Sequence, residues 1–158
     1  MNQNNFKIAI ATPQEDSIVA KHFYLMWRDI EYDKNFFAAD WEEITLNYIH
    51  HARQNLQYQA FIAEIDGKIV GSAGCQLFDG LYPQIIKAES RLYGYIWGVY
   101  VEKAYRDRGI GKKLTLRTID YLKSINCTRA VLHASPQGQP VYSSVGFIPS
   151  NQMHFEIF

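Results

Sequence analysis

Little in this chain of 158 residues points to metal, redox or membrane chemistry. It has two cysteines, Cys75 and Cys127, and neither sits at a metal-binding or redox spacing. Each therefore reads as a buried thiol. His22 and the pair His50-His51 fall on helical patterns without metal-ligating partners, so no metal is expected. No apolar run approaches the roughly 18 residues of a membrane span, and the start MNQNNFKIAI lacks the pattern of a secretory signal. A cytoplasmic protein with no membrane partner is the expectation. The formal net charge is zero, so no strong field calls for nucleic acid. Internal repeats and low-complexity tracts are lacking too. So are the dinucleotide fingerprint Gly-x-Gly-x-x-Gly and the Walker phosphate loop.

What is present is a foldable core. An apolar fraction of 47% and an aromatic fraction of 15% argue against disorder, and the length suits one domain over residues 1–158. The balanced charge is unevenly spread. Residues 28–43 hold six acids against two bases, and residues 102–129 hold eight bases against three acids. Solvated helix faces would explain both segments. A basic side for an anionic cofactor and an acidic side for a cationic acceptor would explain them equally well.

Phe6, Ile8 and Ile10 alternate with Lys7 and Ala9, which predicts a first strand. Thr12-Pro13-Gln14-Glu15 has the form of a capping box opening a helix, with Ile18, Val19, Phe23, Met26, Trp27 and Ile30 on its apolar stripe. A second helix is predicted from about Asp40 to Gln54. Leu56 to Ile65 and Lys68 to Phe78 read as strands joined by a tight turn at Asp66-Gly67. Residues 79–94, with Gly80, Pro83 and Gly94, read as a surface connection that could lie over a site. Tyr95 to Val101 is a strand, Gly109 to Ser124 a helix, and Arg129 to Ala134 a further strand. A short helix near Val141 to Val145 ends at Gly146, and Met153 to Phe158 is a candidate last strand. The order predicts an α/β (α+β mixed) fold, in which a central mixed sheet carries helices on both faces. The unit from Tyr95 to Ala134 is expected to be a right-handed parallel crossover.

Arg106-Asp107-Arg108-Gly109-Ile110-Gly111 stands between a strand and a helix. Glycines there let the main chain approach a phosphate, and the new helix aims its positive end at it. Taken with Ile96 to Val101 before it, Leu132-His133-Ala134-Ser135 after it, and Tyr142-Ser143-Ser144-Val145-Gly146-Phe147 beyond, the chain resembles the GNAT superfamily of N-acetyltransferases. The likeness is strong from about Tyr95 to Phe147.

The resemblance implies a single GNAT-like domain, with a mostly antiparallel sheet and a splayed parallel strand pair. It implies acetyl-coenzyme A as acetyl donor and no metal. Backbone N–H groups of Arg106, Asp107, Arg108, Gly109, Ile110 and Gly111 would hold the pyrophosphate, with charge added by Arg108, Lys112 and Lys113. Val99, Tyr100 and Val101 would hold the pantetheine arm and acetyl carbonyl, opening a slot at a bulge. Tyr142 would give its proton to the departing thiolate. Many family members carry Asn seven residues before that tyrosine, where this chain has Ser135, a cofactor contact with fewer donors.

The implied activity is direct transfer of acetyl from acetyl-coenzyme A to a primary amine. The acidic segment favours a small cationic acceptor, such as a polyamine or an aminoglycoside. A protein N-terminus or lysine is the enzymatic alternative, and a non-catalytic acyl-coenzyme A-binding module the alternative of another class. The sequence leaves the general base open among Glu42, Glu43, Glu89, His133, Tyr95 and water. His133, alternating with Ala134, reads first as structural. Trp27, Tyr32, Phe36, Phe37 and Trp41 are candidates for an acceptor pocket, though their helical spacing also suits a core. A homodimer is compatible with the family.

Overall fold

The computed structural model of the chain describes residues 5–30 and 33–157. Strand β1 (Lys7–Ala11) leads through the Thr12 turn into helix α1 (Asp16–Asp29), and α2 (Trp41–Asn55) follows. Strands β2 (Gln59–Ile65) and β3 (Lys68–Leu77) form the expected hairpin. Then come β4 (Tyr93–Val101), α3 (Ile110–Ser124), β5 (Arg129–Val131) and the short α4 (Gln139–Ser144).

The local signals act as their chemistry predicts. Thr12 and Glu15 form a reciprocal capping box: the Gln14 N–H donates to Thr12 Oγ1, and the Thr12 N–H donates to Glu15 Oε2 at 2.7 Å. A single 3-10 turn over Pro13–Glu15 precedes the α-helix proper. Asp66 and Gly67 both take positive φ, 49° and 79°, as a tight primed turn requires.

The strands lie in the order β1-β2-β3-β4-β5, antiparallel throughout except for the parallel pair β4–β5. Two apolar cores sit on opposite faces. Phe61, Ala63, Val70 and Ile96 pack with Ile110, Leu114 and Leu122 of α3. Ala60 and Ile62 point the other way and pack with Val19 and Ala20 of α1 and Ile49 and Ala52 of α2. Both faces of β2 are covered, which is why its sequence runs almost continuously apolar. Cys75 is fully buried, Cys127 is half-buried, and burial pushes both thiols up.

Three expectations need correction. Residues 153–157 form no strand, and Phe158 lies outside the described residues. Met153, Phe155 and Ile157 alternate as a strand should, yet they are exposed and no neighbouring strand pairs with them. Alternation supplies a face, but a strand also needs a partner for its backbone groups. The strand expected over residues 129–134 stops at Val131, because β4 turns away from it there. The connection 79–92 does not overlie the cleft described below. Tyr82 instead anchors it to the sheet end, its hydroxyl donating toward the Phe78 and Tyr93 carbonyls at 3.1 Å.

His22 is part of the core. It is 2% exposed, its Nδ1 lies 2.8 Å from Ser72 Oγ, and its ring packs on Tyr100. Burial pushes its pKa down, and Glu102, 3.9 Å from Nε2, only partly opposes this. The folded state therefore holds His22 neutral where the unfolded chain, titrating near about 6.5, takes up a proton. The resulting stability is complete above that pH and declines as pH falls below it. Denaturant titrations at pH 7.5 and 5.5 should show wild type losing more stability over that interval than His22→Gln; equal losses would show that His22 does not contribute.

Candidate active site

The site begins with a fault in β4. Its register against β3 runs Ser72↔Tyr100 and then Gly74↔Trp97, so three steps along β4 match two along β3. The extra residue sits at Gly98, whose φ of +67° suits glycine. Such a bulge bends a strand and increases its twist. Pairing with β5 ends accordingly at Tyr95↔Val131. Beyond that point β4 and the continuation of β5, Leu132 to Ser135, become two walls of a cleft of about 1060 Å³.

The open edge of β4 is chemically distinctive. Tyr100 is in register with Ser72 of β3, and the Glu102 N–H donates to Val70 O on the same side. By the period of two, the polar backbone groups of Val99 and Val101 face the cleft. The Val101 carbonyl is taken by Arg106 Nε at 2.8 Å. The backbone of Val99 thus stands on the open edge, with no β5 strand opposite it.

At one end of the cleft the glycine loop meets α3. Asp107 and Gly109 both adopt left-handed φ, 62° and 78°. Gly109 is the N-cap, and the first N–H groups of α3 have no partner within the helix. This builds a concavity of backbone donors at a positive helix end. Arg106 locks it in place: beside its bond to Val101, it donates to Asp29 Oδ2 of α1 at 2.6 Å and lies over the Tyr100 ring. Burial alone would raise the Asp29 pKa; Arg106 and then Lys103 outweigh it and hold the carboxyl below its ordinary value. The Arg106 side chain is thus a brace between loop, strand and helix.

Of the residues expected to hold the cofactor, Val99, Tyr100, Val101, Arg106, Asp107, Gly109, Ile110, Gly111, Lys112 and Ser135 all line the cleft. Arg108 does not: its guanidinium folds over the Tyr105 ring, 5.5 Å from the centroid. Lys113 also lies off the cleft wall, on the exposed side of α3. Ser135 Oγ accepts from the Gly138 N–H at 3.1 Å, starting the turn into α4, which leaves its O–H as a donor.

Tyr142 projects from α4 into the cleft. Its ring packs edge-on against Phe147, and a side chain at position 138 would collide with it, the nearest ring carbon being 2.9 Å from such a Cβ. Burial pushes its phenol up to about 12. Phe147 in turn packs against the α3-side core, which anchors the Tyr142 helix.

The far end of the cleft is aromatic. Phe23, Trp27, Tyr48 and Trp97 form a connected set of ring contacts with centroids 5.0 to 6.3 Å apart. Buried Gln76 fixes two of them, accepting from Trp97 Nε1 and donating to the Tyr48 hydroxyl, each at 2.9 Å. Of the aromatics proposed from sequence, only Trp27 is on the cleft wall among the described residues. Trp41 stacks on Tyr24 and Phe37 packs against Tyr24, while Tyr32 lies outside the described residues. The pattern of sequence missed Phe23, Tyr48 and Trp97 because each comes from a different element. Among the described acids of residues 28–43, only Asp29 reaches the cleft, and it is spent on Arg106. Glu42, Glu43 and Glu89 stand off it, whereas Tyr95 and His133 line it, 2.8 Å apart.

This combination of a bulged strand, a forked parallel pair and a left-handed loop at a helix start defines an acyltransferase fold. Residues 12–147 match the model of the acetyltransferase (GNAT) family. The chain belongs to that family. It is similar to a glucosamine 6-phosphate N-acetyltransferase of Trypanosoma brucei brucei, 30% identical over 95 residues that cover 60% of this chain and 61% of the relative. The chain thus matches less than two thirds of that relative's length. Its fold matches a GCN5-related N-acetyltransferase of Ralstonia eutropha JMP134, with a TM-score of 0.83 at 24% identity over 97% of this chain and 99% of the other. A structure of a predicted acetyltransferase of Clostridium acetobutylicum with acetyl-CoA gives a TM-score of 0.81 at 23% identity over 96% and 95%.

The Asp29–Arg106 brace has a measurable consequence. Asp29→Ala should lower stability by about 1 kcal/mol, the upper range for a partly exposed pair, and lower Tm by roughly 2–4 °C. Calorimetry would check it, and an unchanged Tm would show the pair to be energetically idle.

Proposed function

We propose that this protein transfers acetyl from acetyl-coenzyme A directly to the primary amine of a small molecule. The observation that carries the reading is the forked cleft: the free Val99 backbone edge lies between a loop built for anions and the phenol of Tyr142. The pyrophosphate is held by the main chain of residues 106–111, with Lys112 adding charge. Arg106 serves as brace, and Arg108 contributes through its backbone alone. Val99 to Val101 hold the pantetheine arm and acetyl carbonyl, and a backbone donor there steadies the oxyanion. Ser135 offers its O–H to the same arm.

The chemistry needs no covalent enzyme intermediate. Most of the acceleration comes from holding amine and carbonyl in line. The departing thiolate takes the Tyr142 proton, which burial keeps in place at all physiological pH.

The acceptor we propose is cationic at its amine and apolar beyond it. Ring faces of Phe23, Trp27, Tyr48 and Trp97 attract an ammonium and bury a hydrocarbon body. The acidic segment does not supply this preference. A sugar phosphate, as in the name of the trypanosomal relative, is disfavoured: Arg106 is committed to Asp29 and Lys112 belongs to the loop end.

Three outcomes follow. Acetyl-coenzyme A at about a hundred times its Kd should stabilise the protein by roughly 2.7 kcal/mol, seen as a thermal shift; no shift would remove the donor. Tyr142→Phe should lower kcat by about 10²-fold or more while that shift persists, and the wild-type rate should show no alkaline decline from Tyr142 below about pH 11. In a thiol-release screen, phenethylamine should outperform spermidine, glucosamine 6-phosphate and peptides. Turnover with peptides alone would overturn the small-molecule reading.

A further inference from the structure

We propose that Tyr95 and His133 together form the proton acceptor for the attacking amine. The inference rests on the direct-transfer reading above.

Position is the first argument. Tyr95 is the last residue of β4 still paired with β5, opposite Val131. It therefore stands at the crotch of the fork. His133 lies two residues past Val131 on the opposite, diverging wall. The Tyr95 hydroxyl and His133 Nδ1 meet across the fork at 2.8 Å, with ring centroids 5.8 Å apart. A hydrogen bond that closes the fork at the amine end is placed where the reacting nitrogen must lose protons.

Elimination is the second. Among the described residues, the carboxylates on the cleft wall are Asp29 and Asp107, both at the loop end, and Asp29 is paired with Arg106 and Lys103. Tyr142, across the cleft on α4, is needed as the acid. Tyr48 of α2 lines the same wall, but it is the acceptor for Gln76. Tyr100 and Tyr105 also line the cleft, but at the loop end beneath the Arg106 and Arg108 guanidinium groups. Of the proton-accepting side chains on the described cleft wall, that leaves the Tyr95–His133 pair.

The two members divide the work. Burial, with Tyr48 nearby, raises the Tyr95 phenol, so it keeps its proton and donates it to Nδ1. His133 is exposed, so a proton that reaches its ring can pass on to water. A substrate ammonium gives one proton to the Tyr95 oxygen while the Tyr95 proton moves to His133. The freed nitrogen lone pair attacks the thioester carbonyl and forms the C–N bond. The C–S bond breaks, and the sulfur electron pair takes the Tyr142 proton. The nitrogen's second proton, made acidic by the new C–N bond, leaves to water, and water reprotonates Tyr142. The balance is ammonium plus thioester giving amide, thiol and one proton.

The test compares phenethylamine with 2,2-difluoro-2-phenylethylamine, whose amine is far less basic, so that a large fraction of it is neutral at pH 7. Tyr95→Phe and His133→Asn should each lower kcat/KM for phenethylamine about 10²-fold at pH 7. The loss should be several-fold at most for the fluorinated amine, and should shrink for phenethylamine as pH rises toward 9.5. The thermal shift with acetyl-coenzyme A should match wild type. Equal losses for both amines at every pH, or no loss, would overturn the pair as proton acceptor while wild-type turnover keeps the transfer reading. Wild-type enzyme inert to the whole amine panel would overturn transfer itself and this inference with it.

Discussion

The parting of β4 from β5 governs everything else in this molecule. A parallel pair normally continues until one strand ends, because each broken ladder bond leaves backbone groups unsatisfied. Here three residue pairs form and then the strands separate, although the chain on both sides continues. The inserted residue at Gly98 bends β4, and α1 packs along the bent strand through Phe23 and His22. The cost of the broken ladder is an edge of free backbone inside a cleft, which is what recognition of an amide-rich ligand arm requires.

A second constraint keeps the fork useful. The glycine loop has two left-handed residues and would have many alternatives if unsupported. Arg106 removes them by reaching back to Val101, sideways to Asp29 and flat onto Tyr100. One side chain thus ties loop, strand and first helix into a single body. The Arg in Arg-x-x-Gly-x-Gly is explained by this closure.

Much of this was legible in the chain because it is local. The capping box at Thr12, the turn at Asp66-Gly67, the α3 stripe and the loop residues 106–111 each occupy one short stretch, and the cofactor-side residues expected from them line the cleft, Arg108 and Lys113 excepted. The acceptor side was not legible. Phe23, Tyr48 and Trp97 come from α1, α2 and β4, and nothing in their spacing says they meet. The acidic run 28–43 misled for a related reason: the exposed Asp33, Asp40, Glu42 and Glu43 stand off the cleft, and the one described acid at the cleft, Asp29, is neutralised by Arg106. Residues 153–157 misled because alternation cannot reveal whether a partner strand is within reach.

The two ends of the cleft therefore store their specificity differently. The loop end is shaped by main-chain groups, whose positions depend on φ angles and a bulge, so most side-chain changes there leave the backbone donors in place. The aromatic end is built from side chains of three elements braced by buried Gln76. A single exchange at Phe23, Tyr48 or Trp97 would reshape the wall without touching the fork. A fold with this division can keep one acyl donor while its amine partner changes, and relatives can share the cleft and differ in acceptor. Similarity to a sugar-phosphate enzyme thus carries weight for the donor and little for the acceptor, which has to be read from the aromatic wall itself.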